Sequence, residues 1–203
     1  MVQEDYRLQL ASLQKIRSIA GKNDKIDLPQ ICVVGDQSSG KSALLGQVTG
    51  LHFPVNAGIC TKAACVVECK HEDNENGDDK DDVYEIMGED GRYRKVDTAE
   101  ELGMEISNLQ AVALQAQGNV KISKDEIRVR VRGPQQVDLI VIDLPGIINQ
   151  GEGEAETKEL IDKYIMKDQT LILLISEAKQ DDELTTAIAL ARKADPEGNR
   201  TLR

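Results

Sequence analysis

Eight consecutive residues, Gly35-Asp36-Gln37-Ser38-Ser39-Gly40-Lys41-Ser42, carry the clearest chemical signal in the chain. Two glycines bracket four residues and lead into Lys-Ser, the spacing at which backbone N–H groups wrap a phosphate. Average residue usage yields this pattern in roughly one chain of this length in a hundred. Gly35 and Gly40 let the backbone approach phosphate closely, Lys41 sets a point charge at β- and γ-phosphate oxygens, and Ser42 offers a hydroxyl to Mg²⁺. About one hundred residues later an apolar run ends in Asp143-Leu144-Pro145-Gly146. A carboxylate at the end of a buried strand is suited to holding the Mg²⁺ shell, and Gly146 is suited to presenting its N–H to a γ-phosphate. Thr61, near the end of the Gly-, Pro- and Asn-containing stretch Leu51 to Lys62, is the candidate second hydroxyl on the metal. The cradle is therefore read as Gly35, Asp36, Gln37, Ser38, Ser39, Gly40, Lys41, Ser42 and Ala43 with Asp143 and Gly146. The metal set is read as Ser42, Thr61 and Asp143.

These groups need elements to position them. Leu28 to Val34 reads as the first strand, its apolar residues running together rather than alternating, as expected for a central strand covered on both faces. Ala43 to Val48 reads as the helix that opens from the loop, closed by Gly50. Ala63 to Cys69 is a second apolar run, and Leu139 to Ile142 and Leu171 to Ile175 read as further buried strands. Val83 to Met87 and Arg92 to Val96 read as short strands about the turn Gly88-Glu89-Asp90-Gly91. Thr98-x-x-Glu101 fits a capping box opening a helix with Leu102, Ile106, Leu109 and Val112 on one face. Ile127, Val129 and Val131 alternate with Arg128, Arg130 and Arg132, a half-exposed strand with a basic outer face. The segment Ile127 to Ile142 is expected to form an antiparallel hairpin. Ile147 to Gly153 reads as a mobile loop, Glu154 to Met166 as a helix, and Glu183 to Lys193 as another with Leu184, Ile188 and Ala191 on one side. Ahead of all this, Asp5 to Ala20 carries Leu10, Leu13, Ile16 and Ile19 at near-helical spacing. Buried strands alternating with helices indicate an α/β fold with a largely parallel sheet in a three-layer α/β/α arrangement.

The chain has 203 residues, 40% of them hydrophobic and 30% charged, the balance of a soluble globular domain. No apolar run reaches the 18 or so residues of a membrane span, and the N-terminus has no basic-then-apolar leader. A net charge of −11 argues against nucleic acid as a partner. His71 to Asp82 is an acidic run without apolar residues, read as a solvated loop. Four cysteines, Cys32, Cys60, Cys65 and Cys69, share the chain with only two histidines, so reduced thiols in a cytosolic protein are expected rather than a metal or disulfide site.

Two residues narrow the chemistry. A small Ras-like GTPase has a glutamine directly after Asp-x-x-Gly to orient the attacking water; Ile147 stands there and has no group to do so. Gln37, inside the glycine loop, has a side chain able to orient water. With Ala57-Gly58-Ile59-Cys60-Thr61-Lys62, Leu139-Ile140-Val141-Ile142-Asp143-Leu144-Pro145-Gly146 and the tail Ala194-Asp195-Pro196-Glu197-Gly198-Asn199-Arg200-Thr201-Leu202, this loop resembles the dynamin superfamily, and within it the Mx (interferon-induced) branch. The resemblance runs from Leu28 to Arg203, with an unmatched middle from Glu72 to Asp125.

The resemblance implies a large GTPase that hydrolyses GTP to GDP and phosphate with Mg²⁺. It implies that Gln37 and Ser38 organise the water and a charge-compensating region, often with a monovalent cation, beside Lys41 and Thr61 as the reacting machinery. It also implies self-association through paired G domains, contact with membranes, microtubules or viral assemblies, and a cytoplasmic location, peripheral on membranes. Residues 1–25 resemble the first bundle-signalling helix, and residues 26–203 the N-terminal part of the G domain. Three departures stand out: Lys62-Ala63-Ala64 after Thr61, where the family usually has Arg and then Pro; the reworked Ile148-Asn149-Gln150-Gly151-Glu152; and the lack of a guanine-reading Thr-Lys-x-Asp after Thr201. The chain is accordingly expected to be an N-terminal fragment, incomplete at its C-terminus and with an apolar exposed sheet edge. The alternative is a non-catalytic nucleotide-binding remnant or interaction protein; an ATPase of another P-loop family is disfavoured by Gln37-Ser38 and the Asp195 to Thr201 tail.

Overall fold

The computed structural model describes residues 30–49, 61–72, 82–118, 120–134, 136–176 and 186–202. The N-terminal helix expected over Asp5 to Ala20, the segment Leu51 to Cys60, most of the acidic run after Glu72 and Leu184 lie outside the described residues. Among the described residues eight strands form one sheet: β1 (Gln30–Gly35), β2 (Ala64–His71), β3 (Val83–Met87), β4 (Tyr93–Val96), β5 (Glu126–Gly133), β6 (Leu139–Asp143), β7 (Thr170–Ile175) and β8 (Thr201–Leu202). Among the described residues four helices accompany them: α1 (Lys41–Thr49), α2 (Ala99–Ala116), α3 (Glu154–Ile165) and α4 (Thr186–Ala194). The strand order is β4-β3-β5-β2-β6-β1-β7-β8. The half that carries the glycine loop is parallel throughout: β1 pairs with β6 and β7, and β7 with β8.

The apolar runs alternate between two cores. Cys32 and Val34 face one side, with Leu160, Ile161 and Ile165 of α3 and Ala187, Ile188 and Ala191 of α4. Val33 and Val141 face the other, with Leu45 of α1 and Leu102 and Ile106 of α2. Sheet strands covered by helices on both faces are the expected three-layer arrangement. Cys32, Cys65 and Cys69 are buried free thiols in these layers, and burial raises all three above the ordinary thiol range, Cys69 to about 11. Among the described residues, no helix is long and apolar enough to cross a membrane.

Several sequence expectations change. Ile127 to Ile142 is not a hairpin: β2 lies between β5 and β6, parallel to the first and antiparallel to the second. The β3–β4 hairpin does form, with Gly88 N–H donating to the Arg92 carbonyl at 2.9 Å. The outer face of β5 is not an open basic strip. Register sets Arg130 directly opposite Glu68 on β2 and Glu85 on β3. Its guanidinium lies 3.0 Å from Glu68 and 3.9 Å from the centre of the Tyr93 ring. Arg132 binds Glu85 at 2.9 Å and Glu72 at 3.0 Å. A cross-strand ladder of opposite charges therefore replaces the expected cationic surface.

The α2 helix opens as expected, Thr98 Oγ1 accepting from Glu101 N–H at 3.1 Å, although the Glu101 carboxylate reaches Asp97 N–H rather than that of Thr98. Leu102 and Ile106 are buried, but Val112 is 50% exposed. At about 100° per residue, Val112 stands about 120° off the Ile106 direction, whereas Gln110 stands about 40° from it. Gln110 takes a buried position instead. Ile147 and Ile148 are not part of a mobile loop: both are buried in the core cluster that packs on α3. Two substitutions separate these helix positions. Ile106→Ala should cost about 3 kcal/mol in urea unfolding, as a core truncation does, whereas Val112→Ala should stay within about 0.5 kcal/mol.

Candidate nucleotide site

The site sits at the C-terminal ends of β1 and β6, where loops leave the parallel half of the sheet. Ligands in open α/β sheets bind at this end because strand ends leave crevices and helix N-termini point into them. Gly35 closes β1, and Ser39 N–H donates to the Asp36 carbonyl at 3.4 Å to turn the loop. Ser38 has φ 62° and Gly40 φ 89°. Left-handed residues set between right-handed ones turn successive N–H groups into one concavity, an anion nest. Glycine adopts this conformation freely, whereas at Ser38 it costs on the order of 1 kcal/mol. Gly40 then caps α1, its carbonyl accepting from Leu44 N–H at 2.9 Å.

Lys41 is buried within this loop, only 6% exposed, and its Nζ donates to the carbonyls of Gly35 at 3.1 Å and Asp36 at 2.8 Å. The ammonium is thereby held at the concavity. Gln37, Ser38 and the Ala43 side chain are exposed at the rim, so Ala43 offers the site its backbone alone. Gly146, buried, lies against Gln37: a Cβ on it would come within 2.7 Å of the Gln37 Cα. Only a residue without a side chain permits this approach of the two loops.

Ser42, Thr61 and Asp143, distant in sequence, meet. Both hydroxyls donate to Asp143 Oδ2, from Ser42 at 3.0 Å and from Thr61 at 2.9 Å, and they lie 3.2 Å from each other. Asp143 is 1% exposed, and its Oδ1 has no hydrogen-bond partner among the described residues. An orphaned carboxylate oxygen beside two hydroxyls is an all-oxygen donor set, the kind that suits a hard cation such as Mg²⁺. Burial pushes the Asp143 carboxyl up to about 6, against the hydroxyl donations of Thr61 and Ser42 and the nearby Lys41 charge.

Sequence reasoning missed the parts that hold these groups. Ile147 N–H donates to the Gly35 carbonyl at 3.2 Å and pairs alongside Asp36, clipping the loop after β6 to the glycine loop. Asn149 donates to the Asp36 carboxylate at 3.4 Å and accepts from Thr186 of α4 at 2.6 Å. Gln110 accepts from Lys62 N–H at 3.3 Å, next to Thr61. Its signal was present: a polar residue on the buried side of an amphipathic helix. Farther away, Arg200 donates to the carbonyls of Ile165, Thr170 and Ala194 at 2.9, 2.9 and 2.6 Å, while Asp195 accepts from Thr201 Oγ1 at 2.6 Å. The tail motif thus fastens α3, α4 and β7 at the sheet end opposite the glycine loop.

The chain is similar to known proteins over nearly its whole length. The model of the "Dynamin family" matches residues 31–203. Similar curated proteins include "Interferon-induced GTP-binding protein Mx1" of Canis lupus familiaris, 33% identical over 98% of the chain, that of Ovis aries at 34%, and that of Oncorhynchus mykiss at 33%. The chain spans about 30% of the length of these relatives.

The raised Asp143 carboxyl has a stability consequence. The folded, metal-free protein holds this proton more tightly than the unfolded chain, so stability falls as pH rises from about 4 through about 6 and levels off above. In chelator, urea unfolding at pH 4.5 and pH 7 should show the wild type losing about 2 kcal/mol relative to Asp143→Asn. Parallel pH profiles for the two proteins would contradict the assignment.

Proposed function

Because the chain belongs to the dynamin family, we propose that this site binds GTP and hydrolyses it to GDP and phosphate. The observation that carries the proposal is the meeting of Ser42, Thr61 and Asp143 beside a glycine loop whose lysine is already drawn into the concavity. The names of the relatives, which call them GTP-binding, support guanosine over adenosine as the nucleoside.

The loop N–H groups and Lys41 hold the β- and γ-phosphates and take up charge that spreads over the oxygens as the γ-phosphoryl leaves. Ser42, Thr61 and Asp143 would hold Mg²⁺, which when bound supplies charge neutralisation at those oxygens. Water attacks the γ-phosphorus, the bond to the β–γ bridging oxygen breaks, and the water proton passes to phosphate. Gln37 orients that water. Its stem runs against Gly146, the residue proposed to offer its N–H to the γ-phosphate, and Ile147 is turned into the core at 2% exposure. Ser38 beside it, with a monovalent cation, is proposed to complete the charge-compensating region. The same proposal carries the family traits of self-association across the nucleotide face, contact with membranes, microtubules or viral assemblies, and a cytoplasmic place of action.

Turnover of GTP and of ATP, measured with Mg²⁺, tests this. Lys41→Ala should lower GTP turnover by at least 100-fold, about 2.7 kcal/mol of lost transition-state stabilisation. Gln37→Glu should reduce kcat by about 10- to 100-fold with nucleotide affinity changed less than threefold. Equal rates with and without the lysine would reject hydrolysis in favour of a non-catalytic chain, and a change confined to affinity would reject the water-orienting role.

A further inference from the structure

Lys62 is gripped by both of its backbone hydrogen-bonding groups. Its N–H donates to Gln110 Oε1 at 3.3 Å, and its carbonyl accepts from Ser123 N–H at 2.8 Å. The first bond fixes the peptide that joins Thr61 to Lys62 and the second fixes the peptide after it, while the Thr61 hydroxyl donates to Asp143 at 2.9 Å. Gln110 is 4% exposed and Ser123 is fully buried. A glutamine amide on the apolar face of a helix costs stability unless it is paired, so its place needs a reason beyond packing.

The second grip is itself held by α2. Ser123 Oγ accepts from Gln117 Nε2 at 3.0 Å and from Asp125 N–H at 3.1 Å. Gln117 Nε2 also donates to the Asp125 carboxylate at 2.8 Å, and its Oε1 accepts from Lys124 N–H at 3.3 Å. The helix and its C-cap therefore reach Lys62 twice, at the Thr61–Lys62 peptide directly through Gln110 and at the Lys62–Ala63 peptide through the Ser123–Asp125 turn that Gln117 organises.

We propose that Gln110 is a positioning residue for Thr61: by accepting the Lys62 N–H, it aims the Thr61 hydroxyl at Ser42 and Asp143 before any ligand arrives. The proposal rests on the reading of these three side chains as the magnesium set of a GTP site. A donor aimed in advance loses less conformational freedom when a cation binds, and removing such outer supports typically weakens metal affinity by about 10- to 100-fold. Among the described residues, Gln110 makes no hydrogen bond to Ser42, Asp143 or the glycine loop, so its effect passes through Thr61.

The test uses the full chain and Gln110→Met, which keeps the length of the side chain and removes the acceptor. In the ligand-free protein, amide hydrogen exchange at Lys62 should quicken at least 10-fold while Leu102 and Ile106, in the same helix, keep their protection. With a non-hydrolysable imido analogue of GTP, the Mn²⁺ dissociation constant should rise about 10-fold while analogue affinity in chelator is unchanged. Gln110→Glu, which retains an acceptor, should restore most of both. Adding Gln110→Met to Thr61→Ala should weaken Mn²⁺ no further, since both changes act through one hydroxyl. Unchanged Mn²⁺ affinity in Gln110→Met, with a normal wild-type response, would overturn this inference alone, as would losses that add in the double variant. Absence of any Mn²⁺ response in the wild type would overturn the site reading and this inference with it.

Discussion

A carboxylate buried at the end of β6 is the constraint around which the site is built. Asp143 is 1% exposed, and one of its oxygens has no partner among the described residues. Taking such a charge out of water is expensive, and hydrogen bonds from two hydroxyls do not fully offset it, which is why the carboxyl holds its proton up to about 6. The cost persists because the sheet leaves no alternative. β6 runs parallel to β1, with Val33 opposite Asp143, so the strand end delivers the carboxylate to the same edge as the glycine loop. β2 runs antiparallel to β6 with Cys65 opposite Asp143, and this brings the start of β2, and Thr61 just before it, to the same point.

What surrounds that point is rigid by construction. The glycine loop is clipped from above by Ile147 and Asn149, and its close contact with Gly146 tolerates no side chain. The Thr61–Lys62 peptide is held from the α2 side by Gln110, and the next peptide by Ser123. Behind these contacts, two apolar layers lock the parallel strands between pairs of helices. The ion-pair ladder over β2, β5 and β3 aligns the outer strands, and Arg200 ties the helices at the far end. The contacts that define the site are thus short and local, while the elements that carry them are fixed by packing. This is the condition under which electrostatic preorganisation acts on a phosphoryl transfer.

Much of this was legible in the sequence, for physical reasons. Buried parallel strands need continuous apolar runs, so β1, β6 and β7 announced themselves, and the glycine loop and Asp143 lay at strand ends where chemistry was expected. The Thr98 cap and the Gly88 to Gly91 turn are local signals and were read as such. What the sequence did not yield was non-local. Nothing in the alternation of β5 says that β2, rather than β6, lies beside it, because period-two patterning records faces and not neighbours. The same gap hid the partners of Arg130 and Arg132, since Glu68 and Glu85 come close only through strand register. Val112 was misplaced by successive three-residue steps that drift around a 3.6-residue helix. Ile147 opens a polar, glycine-containing stretch that marks a loop, yet its own side chain belongs to the core.

The central claim is that Asp143, with Ser42 and Thr61, exists to hold a divalent cation beside a bound nucleotide. The most direct measurement is the thermal midpoint of the GDP-loaded chain at pH 7.5, with and without Mg²⁺, in the wild type and in Asp143→Asn. A cation that binds only the folded site raises the midpoint by mass action. The account predicts a rise of several degrees for the wild type, on the order expected of a 1–2 kcal/mol linkage, and almost none for Asp143→Asn. An equal rise in both proteins would contradict it, because the cation would then be held by groups other than this carboxylate.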